Sequence, residues 1–197
     1  MVEFKKVLVV EDEYLVLMGL KSNLEDLGYQ NILEAQKGEK AVELALKEMP
    51  DLILMDINLP DIDGIEALKR INDRLIVPSI IISGYHESQL VEKAKNVGVF
   101  AYLIKPVDKK DLKVNLQICS SRFEEFLELK KDYNDARQAL EDRKIIERAK
   151  GILMDNNNLK EAEAMATLQK KSQNKNQKLI KVAQDIIKAS ELLDAGD

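Results

Sequence analysis

Five short apolar runs constrain this chain most. They lie at 6–10, 31–35, 51–55, 78–82 and 100–104, and stretches of helix length with one apolar face separate them. Segments such as VLVV, LILM and SIII offer no polar face to water. A strand of that kind must be covered on both sides, which means a parallel sheet with crossover helices. Strict alternation of five strands with five helices predicts an α/β, doubly wound, five-stranded parallel sheet. In such sheets ligands sit at the carboxyl ends of the strands, where the strand order reverses.

The second half has a different rhythm. From Asp108 there is no further proline, and no glycine until Gly151, so one very long helix is expected. Leu112, Cys119, Phe126, Tyr133 and Leu140 recur every seven residues; Leu116 and Phe123 interleave with them, and Lys130 and Arg137 continue that second row with polar groups. This heptad seam predicts a coiled coil and a homodimer through the 112–140 helix. The competing reading is that the helix packs back on its own sheet. After a polar break at Asp155 to Asn158, helical patterns follow at 160–172 and 175–193. The expected organisation is an α/β domain at 1–120, a coiled-coil linker helix at 108–140 and a small three-helix all-α domain at 137–193.

Composition excludes several classes. The chain has 197 residues, 45% of them apolar, with a net charge of −5 and one cysteine. Cys119 lies on the seam, so packing is expected of it, and no intrachain disulfide can form. No apolar run approaches the ~18 residues that span a bilayer, and the start reads as a buried strand instead of a signal peptide. No membrane association and a cytoplasmic location are expected.

Chemistry concentrates at the expected strand ends. Glu11 and Asp12 follow the first strand, Asp56 the third, Ser83 and Gly84 the fourth, and Lys105 the fifth. Carboxylates in one crevice make a hard-oxygen site suited to Mg²⁺. A carboxylate beside such an ion can act as a nucleophile toward a phosphoryl group, and a lysine there neutralises the anion. Glu13, Asp61 and Asp63 read as caps or loop residues. His86, the only histidine, reads as a solvated loop residue.

These segments carry a resemblance. VLVVEDE, the D-x-N-L-P-D-x-D-G run from Asp56 to Gly64, IIISG and AYLIKP resemble a response-regulator receiver domain. The resemblance implies that Asp56 accepts a phosphoryl group from a sensor histidine kinase. It implies a Mg²⁺ site of Glu11, Asp12, Asp56 and the Asn58 main-chain carbonyl. Lys105 would pair with the phosphoryl oxygens, Ser83 would hydrogen-bond them, Tyr102 would rotate inward in concert, and Pro106 would follow a cis peptide. Gly84 stands where the family more often has alanine.

In the tail, RKIIERAKGILM (143–154) has an apolar stripe and a basic flank. Residues 137–197 hold 12 Lys+Arg against 10 Asp+Glu, and residues 1–136 hold 18 against 25, so positive charge gathers at the end. The segment from Leu140 to Ile187 is similar to the ANTAR domain, a three-helix RNA-binding module of transcription antiterminators. Met165 and Gln169 depart from that pattern. The resemblance implies binding to paired stem-loops in a nascent leader RNA, with Arg143, Lys144, Arg148, Lys150, Asn174, Lys175, Lys178 and Lys181 as candidate contacts. No aromatic follows Tyr133, so recognition would rest on charged and amide groups. The combined expectation is a phosphorylation-controlled antiterminator that is not an enzyme. Alternatives are a receiver with a DNA-binding output, a metal-assisted phosphatase with Asp56 as nucleophile, and a pure interaction protein.

Overall fold

The computed structural model describes residues 4–84 and 98–194. The chain divides into two compact units, Met1–Glu128 and Leu129–Asp197.

In the first unit, β1 (Lys6–Val10), β2 (Asn31–Ala35), β3 (Leu52–Asp56), β4 (Ser79–Ser83) and β5 (Val99–Ile104) form one parallel sheet in the order β2-β1-β3-β4-β5. Around them lie α1 (Tyr14–Asp26), α2 (Gly38–Glu48), α3 (Gly64–Asn72) and the beginning of α4 (Lys109–Asn157). The helix expected between the fourth and fifth strands, and His86, fall outside the described residues.

The period of two along each strand sorts side chains into two cores. Val7, Val9, Leu52, Leu54, Ile80 and Ile82 meet Leu17, Leu20 and Leu24 of α1 and Leu112, Leu116 and Cys119 of α4. Leu8, Val10, Ile53, Met55 and Ile81 meet Ala41 and Ala45 of α2 and Ala67, Leu68 and Ile71 of α3. Burying each large side chain contributes about 1.5–3 kcal/mol. Covering β1 and β3 on both faces is therefore what fixes the strand ends that carry the site.

One expectation needs correction here. Leu112, Leu116, Cys119 and Phe123 are 0–8% exposed, all within the first unit. Burial pushes the Cys119 thiol up to about 12, as suits a packing group. This half of the heptad seam packs back on its own sheet, so it is not available to a second chain. Phe126 is half-exposed and makes edge-to-face contact with Phe100 at 5.7 Å.

The second unit holds the end of α4 with α5 (Glu161–Lys175) and α6 (Leu179–Asp194). Its core is Ala149 and Leu153, Ala164 and Leu168, and Val182, Ala183 and Ile187. These are i, i+4 or i, i+5 positions on three helices, so three narrow stripes close on one another. Met165 packs against this core. Glu163 accepts a hydrogen bond from the Lys160 N–H at 2.9 Å and starts α5. Asn176, at φ 49°, ends it in the left-handed conformation that asparagine tolerates.

Candidate functional site

Asp56 ends β3 and Glu11 follows β1, at the boundary where the strand order reverses. Both are buried, at 2% and 0% exposed. The register places Asp56 beside Ile82 and Ser83 beside Ile104, and the Lys105 N–H donates to the Ser83 carbonyl at 2.8 Å. Parallel pairing thus brings one group from each of four strand ends to one edge. Lys105 Nζ donates to Asp56 Oδ2 and to Glu11 Oε1, each at 2.9 Å. Lys105 precedes a cis-Pro106.

The electrostatics follow from burial. Glu11 is pushed up to about 7, chiefly by loss of solvent and then by the charge of Asp56, against the pull of Lys105. Burial alone would lower Lys105, but Glu11 and Asp56 outweigh it and hold the amine above its ordinary value. Glu11 Oε2 also lies 2.7 Å from Lys105 Nζ, so the ammonium is paired with both oxygens of this carboxylate. Glu11, Asp12 and Asp56 bring three carboxylate oxygens within 4.8 Å of one another. Three hard carboxylate oxygens so close together, two of them from buried residues, fit a small divalent cation. The Asn58 N–H donates to Asp56 Oδ1 at 3.3 Å, which fixes the loop that carries Asn58.

The neighbouring acids have separate duties. Asp63 caps α3 by accepting from the Glu66 N–H at 2.8 Å. Asp61 accepts from the N–H groups of Gly38 and Glu39 at 2.8 and 2.9 Å, so it anchors the start of α2 across 23 residues. The Glu39 N–H, above other backbone donors, holds the Asp61 carboxyl down to about 2. Glu13 stands at the start of α1 without capping it, and its Oε1 is 3.8 Å from Lys105 Nζ. Gly64, at the end of the run that begins with Asp56, does more than make a turn: a Cβ there would overlap the Asp56 carbonyl oxygen. Only a glycine lets α3 begin against the backbone at the end of β3. Among the described residues, by contrast, none comes within 4 Å of a Cβ added at Gly84. Ser83 is buried at the end of β4, and Tyr102 lies opposite Ile81, partly buried against the α2–α3 core.

In the second unit, Arg143, Lys144, Asn174, Lys175, Lys178 and Lys181 are exposed. Arg148 is exposed and paired with Glu191 at 2.9 Å. Lys150 is not displayed. Its side chain is 10% exposed and its Nζ lies 2.6 Å from Glu147 and 2.7 Å from Glu161. The stem is covered by the packed helices and the ammonium clasps α4 to the first turn of α5. Gln169 is exposed. From Ala164 to Gln184 there is no acid, while Lys170, Lys171, Lys175, Lys178 and Lys181 all fall within this stretch. It covers most of α5, the turn and the start of α6.

A five-stranded 2-1-3-4-5 sheet with a buried acid-and-lysine pocket at its switch point defines a receiver. The family model described as response regulator receiver domain matches residues 7–117, and that described as ANTAR domain matches 134–187. The chain belongs to the two-component response regulators, with a receiver domain followed by an ANTAR domain. It is 35% identical over 183 residues to the transcriptional regulatory protein PdtaR of Mycobacterium tuberculosis, covering 93% of this chain and 89% of that protein. It is 32% identical over 146 residues to the alkaline phosphatase synthesis transcriptional regulatory protein PhoP of Bacillus subtilis, covering 72% of this chain and 60% of that protein. Among solved structures, a CheY-like receiver domain protein from Methanospirillum hungatei JF-1 superposes with a TM-score of 0.58 at 29% identity, covering 62% of this chain and 98% of that one. The receiver domain of a modulated diguanylate cyclase from Desulfovibrio desulfuricans G20 gives 0.57 at 32%, again covering 62% and 98%. No helix among the described residues is long and apolar enough to cross a membrane.

Proposed function

We propose that Asp56 accepts a phosphoryl group from the phosphohistidine of a sensor kinase and that this controls binding of leader-RNA stem-loops by the second unit. The observation that carries the reading is the Glu11–Asp56–Lys105 set at the carboxyl edge of the sheet. A carboxylate oxygen of Asp56 attacks phosphorus, the P–N bond breaks, and its electron pair returns to the imidazole, giving an acyl phosphate on the protein. Glu11, Asp12, Asp56 and the Asn58 carbonyl would hold Mg²⁺. When bound, the ion neutralises charge that develops on the phosphoryl oxygens. Lys105 leaves its carboxylate partners to pair with the new phosphate. Ser83, tied through its backbone to Lys105, turns its hydroxyl to a phosphoryl oxygen, and Tyr102 moves inward behind it.

The output surface is the acid-free stretch of α5 and α6, which favours Lys175, Lys178, Lys181 and Asn174, together with Arg143 and Lys144 on α4. Lysines there meet backbone phosphates, and amides read splayed loop bases. The chain acts in the cytoplasm as a homodimeric antiterminator and turns over no substrate beyond its own phosphate.

The test is a titration of a leader RNA carrying two adjacent stem-loops, with and without beryllofluoride and Mg²⁺, at several salt concentrations. The mimic should raise affinity in the parent chain and leave Asp56→Asn unchanged. Lys175→Ala with Lys178→Ala should lower affinity and reduce the salt slope by about 1–2. Tighter binding to a promoter duplex than to RNA would move the output to DNA. No RNA binding in either state would overturn the reading.

A further inference from the structure

A cleft of about 650 Å³ opens at the edge of the sheet where the strands begin, between the turn that joins α1 to β2 and the first turns of α4. Small-molecule sites have this size. Lys5 precedes β1 and Gln30 precedes β2, whereas Glu11 and Asp56 stand at the far ends of β1 and β3. One strand length, about 16 Å, separates the cleft from the acidic pocket, so the phosphoryl chemistry does not use it.

Packing sets its walls and floor. The Tyr29 N–H donates to the Leu24 carbonyl and the Gly28 N–H to that of Glu25, at 3.0 and 2.9 Å. These two bonds close the end of α1 in a fixed turn, with Gly28 at a left-handed φ of 97°. Leu27 and Tyr29, on either side of that glycine, both line the cleft. Phe4 and Leu116 are buried in the first core and complete an apolar floor. The cleft is therefore formed before anything enters it.

Its charge has one sign. Lys5 and Lys113 line the cleft, and no acid does. Acids close by are already engaged. Asp26 pairs with Lys109 at 2.8 Å, and Asp51 accepts from the N–H groups of Lys5 and Lys6 at 2.9 and 2.8 Å. Among the described residues, neither the Lys5 nor the Lys113 ammonium has a salt-bridge partner. Gln30 and Gln117 add side-chain amides that can donate to the same anion. An apolar floor with two rings, under two ammonium groups, suits a flat apolar body that carries a carboxylate. We infer that this cleft binds a small aromatic carboxylate, its ring on Phe4, Tyr29 and Leu116 and its anion toward Lys5 and Lys113. Lys113, Leu116 and Gln117 belong to α4, which runs unbroken to Asn157. An occupant therefore ties the α1–β2 turn to the helix that continues into the second unit, a chemical input separate from Asp56. The site stands whether or not the second unit binds RNA.

The test is a nuclear magnetic resonance titration of the full-length, isotope-labelled chain, kept metal-free, with three probes that share one ring: indole-3-acetate, indole-3-acetamide and tryptamine. Indole-3-acetate should shift the amide resonances of Gly28, Tyr29 and Gln117 and saturate. It should bind about fivefold more tightly than the acetamide, as two exposed ion pairs would give, and tryptamine should bind most weakly. In Lys5→Met with Lys113→Met, which keeps both stems, the acetate should fall to the affinity of the acetamide. The melting temperature of that variant should match the parent, because both side chains are exposed. Acetate and acetamide bound alike by the parent, shifts confined to Asp12, Asp56 and Lys105, or no saturable shift with the acetate would overturn the site.

Discussion

Glu11→Gln should stabilise the metal-free chain at alkaline pH and remove its response to Mg²⁺. Glu11 is fully buried and its carboxyl sits at about 7 in the folded chain against an ordinary value of 4.5. Below the ordinary value both folded and unfolded chains are protonated, so nothing is lost. Between the two values the unfolded chain ionises first, and stability falls as pH rises. Above about 7 the penalty is complete. At pH 8 its ceiling is about 3 kcal/mol, since each pH unit between the two values costs about 1.4 kcal/mol. Glutamine keeps an oxygen for the Lys105 Nζ and carries no charge, so it should recover most of that cost. In excess chelator, the variant should melt several degrees above the parent at pH 8 and level with it near pH 4.5. Mg²⁺ should raise the melting temperature of the parent by mass action and leave the variant unchanged. A metal-free variant that is less stable at pH 8, or equally stabilised at both pH values, would refute the burial argument.

Gly64→Ala should cost about 1–3 kcal/mol, because its methyl group meets the Asp56 carbonyl and Met55 Cγ at 2.8 Å, and backbone cannot swing aside. Phosphate incorporation from a small phosphodonor should fall with it, while Gly84→Ala, which meets none of the described residues, should match the parent in both assays. Lys150→Met should leave RNA affinity within about twofold, since the stem is kept and the ammonium already serves Glu147 and Glu161. Lys150→Ala should lower the melting temperature of the second unit. Equal loss of RNA affinity in both Lys150 variants, with the fold intact, would make Lys150 a direct contact after all.

The receiver was legible because its signals are local and its geometry repeats. The expected strands match β1 and β2 end to end and the others within a residue, since a short, mostly apolar run between helical stretches has few other uses. The site followed because parallel topology sends every strand's carboxyl end to one edge. The helical half was harder. The heptad row read forward from Leu112 suggested a seam for a second chain, yet its first four positions, Leu112 to Phe123, are buried in the first unit. Periodicity reports that a helix has an apolar face and does not report what covers it. Lys150 was counted with the displayed bases because charge alone does not report burial. Its partner Glu161 lies on the next helix, and only the packing of α5 places that carboxylate over it. Gly64 was seen as turn chemistry, and its contact with the Asp56 carbonyl depends on where α3 lands.

The separation of the site's groups along the chain sets an order of events during synthesis. Lys105 meets Asp56 across 49 residues and Glu11 across 94. Until residue 105 has left the ribosome, Asp56 lacks its amine and the edge strand β5 has no place in the sheet. Non-local pairing of this kind closes late, and N-terminal domains close first as the chain emerges. The pocket of Glu11, Asp56 and Lys105 can therefore close while α5 and α6 are still to be made. The two ends of the molecule are built in sequence, the acidic pocket first and the basic stretch of the second unit last.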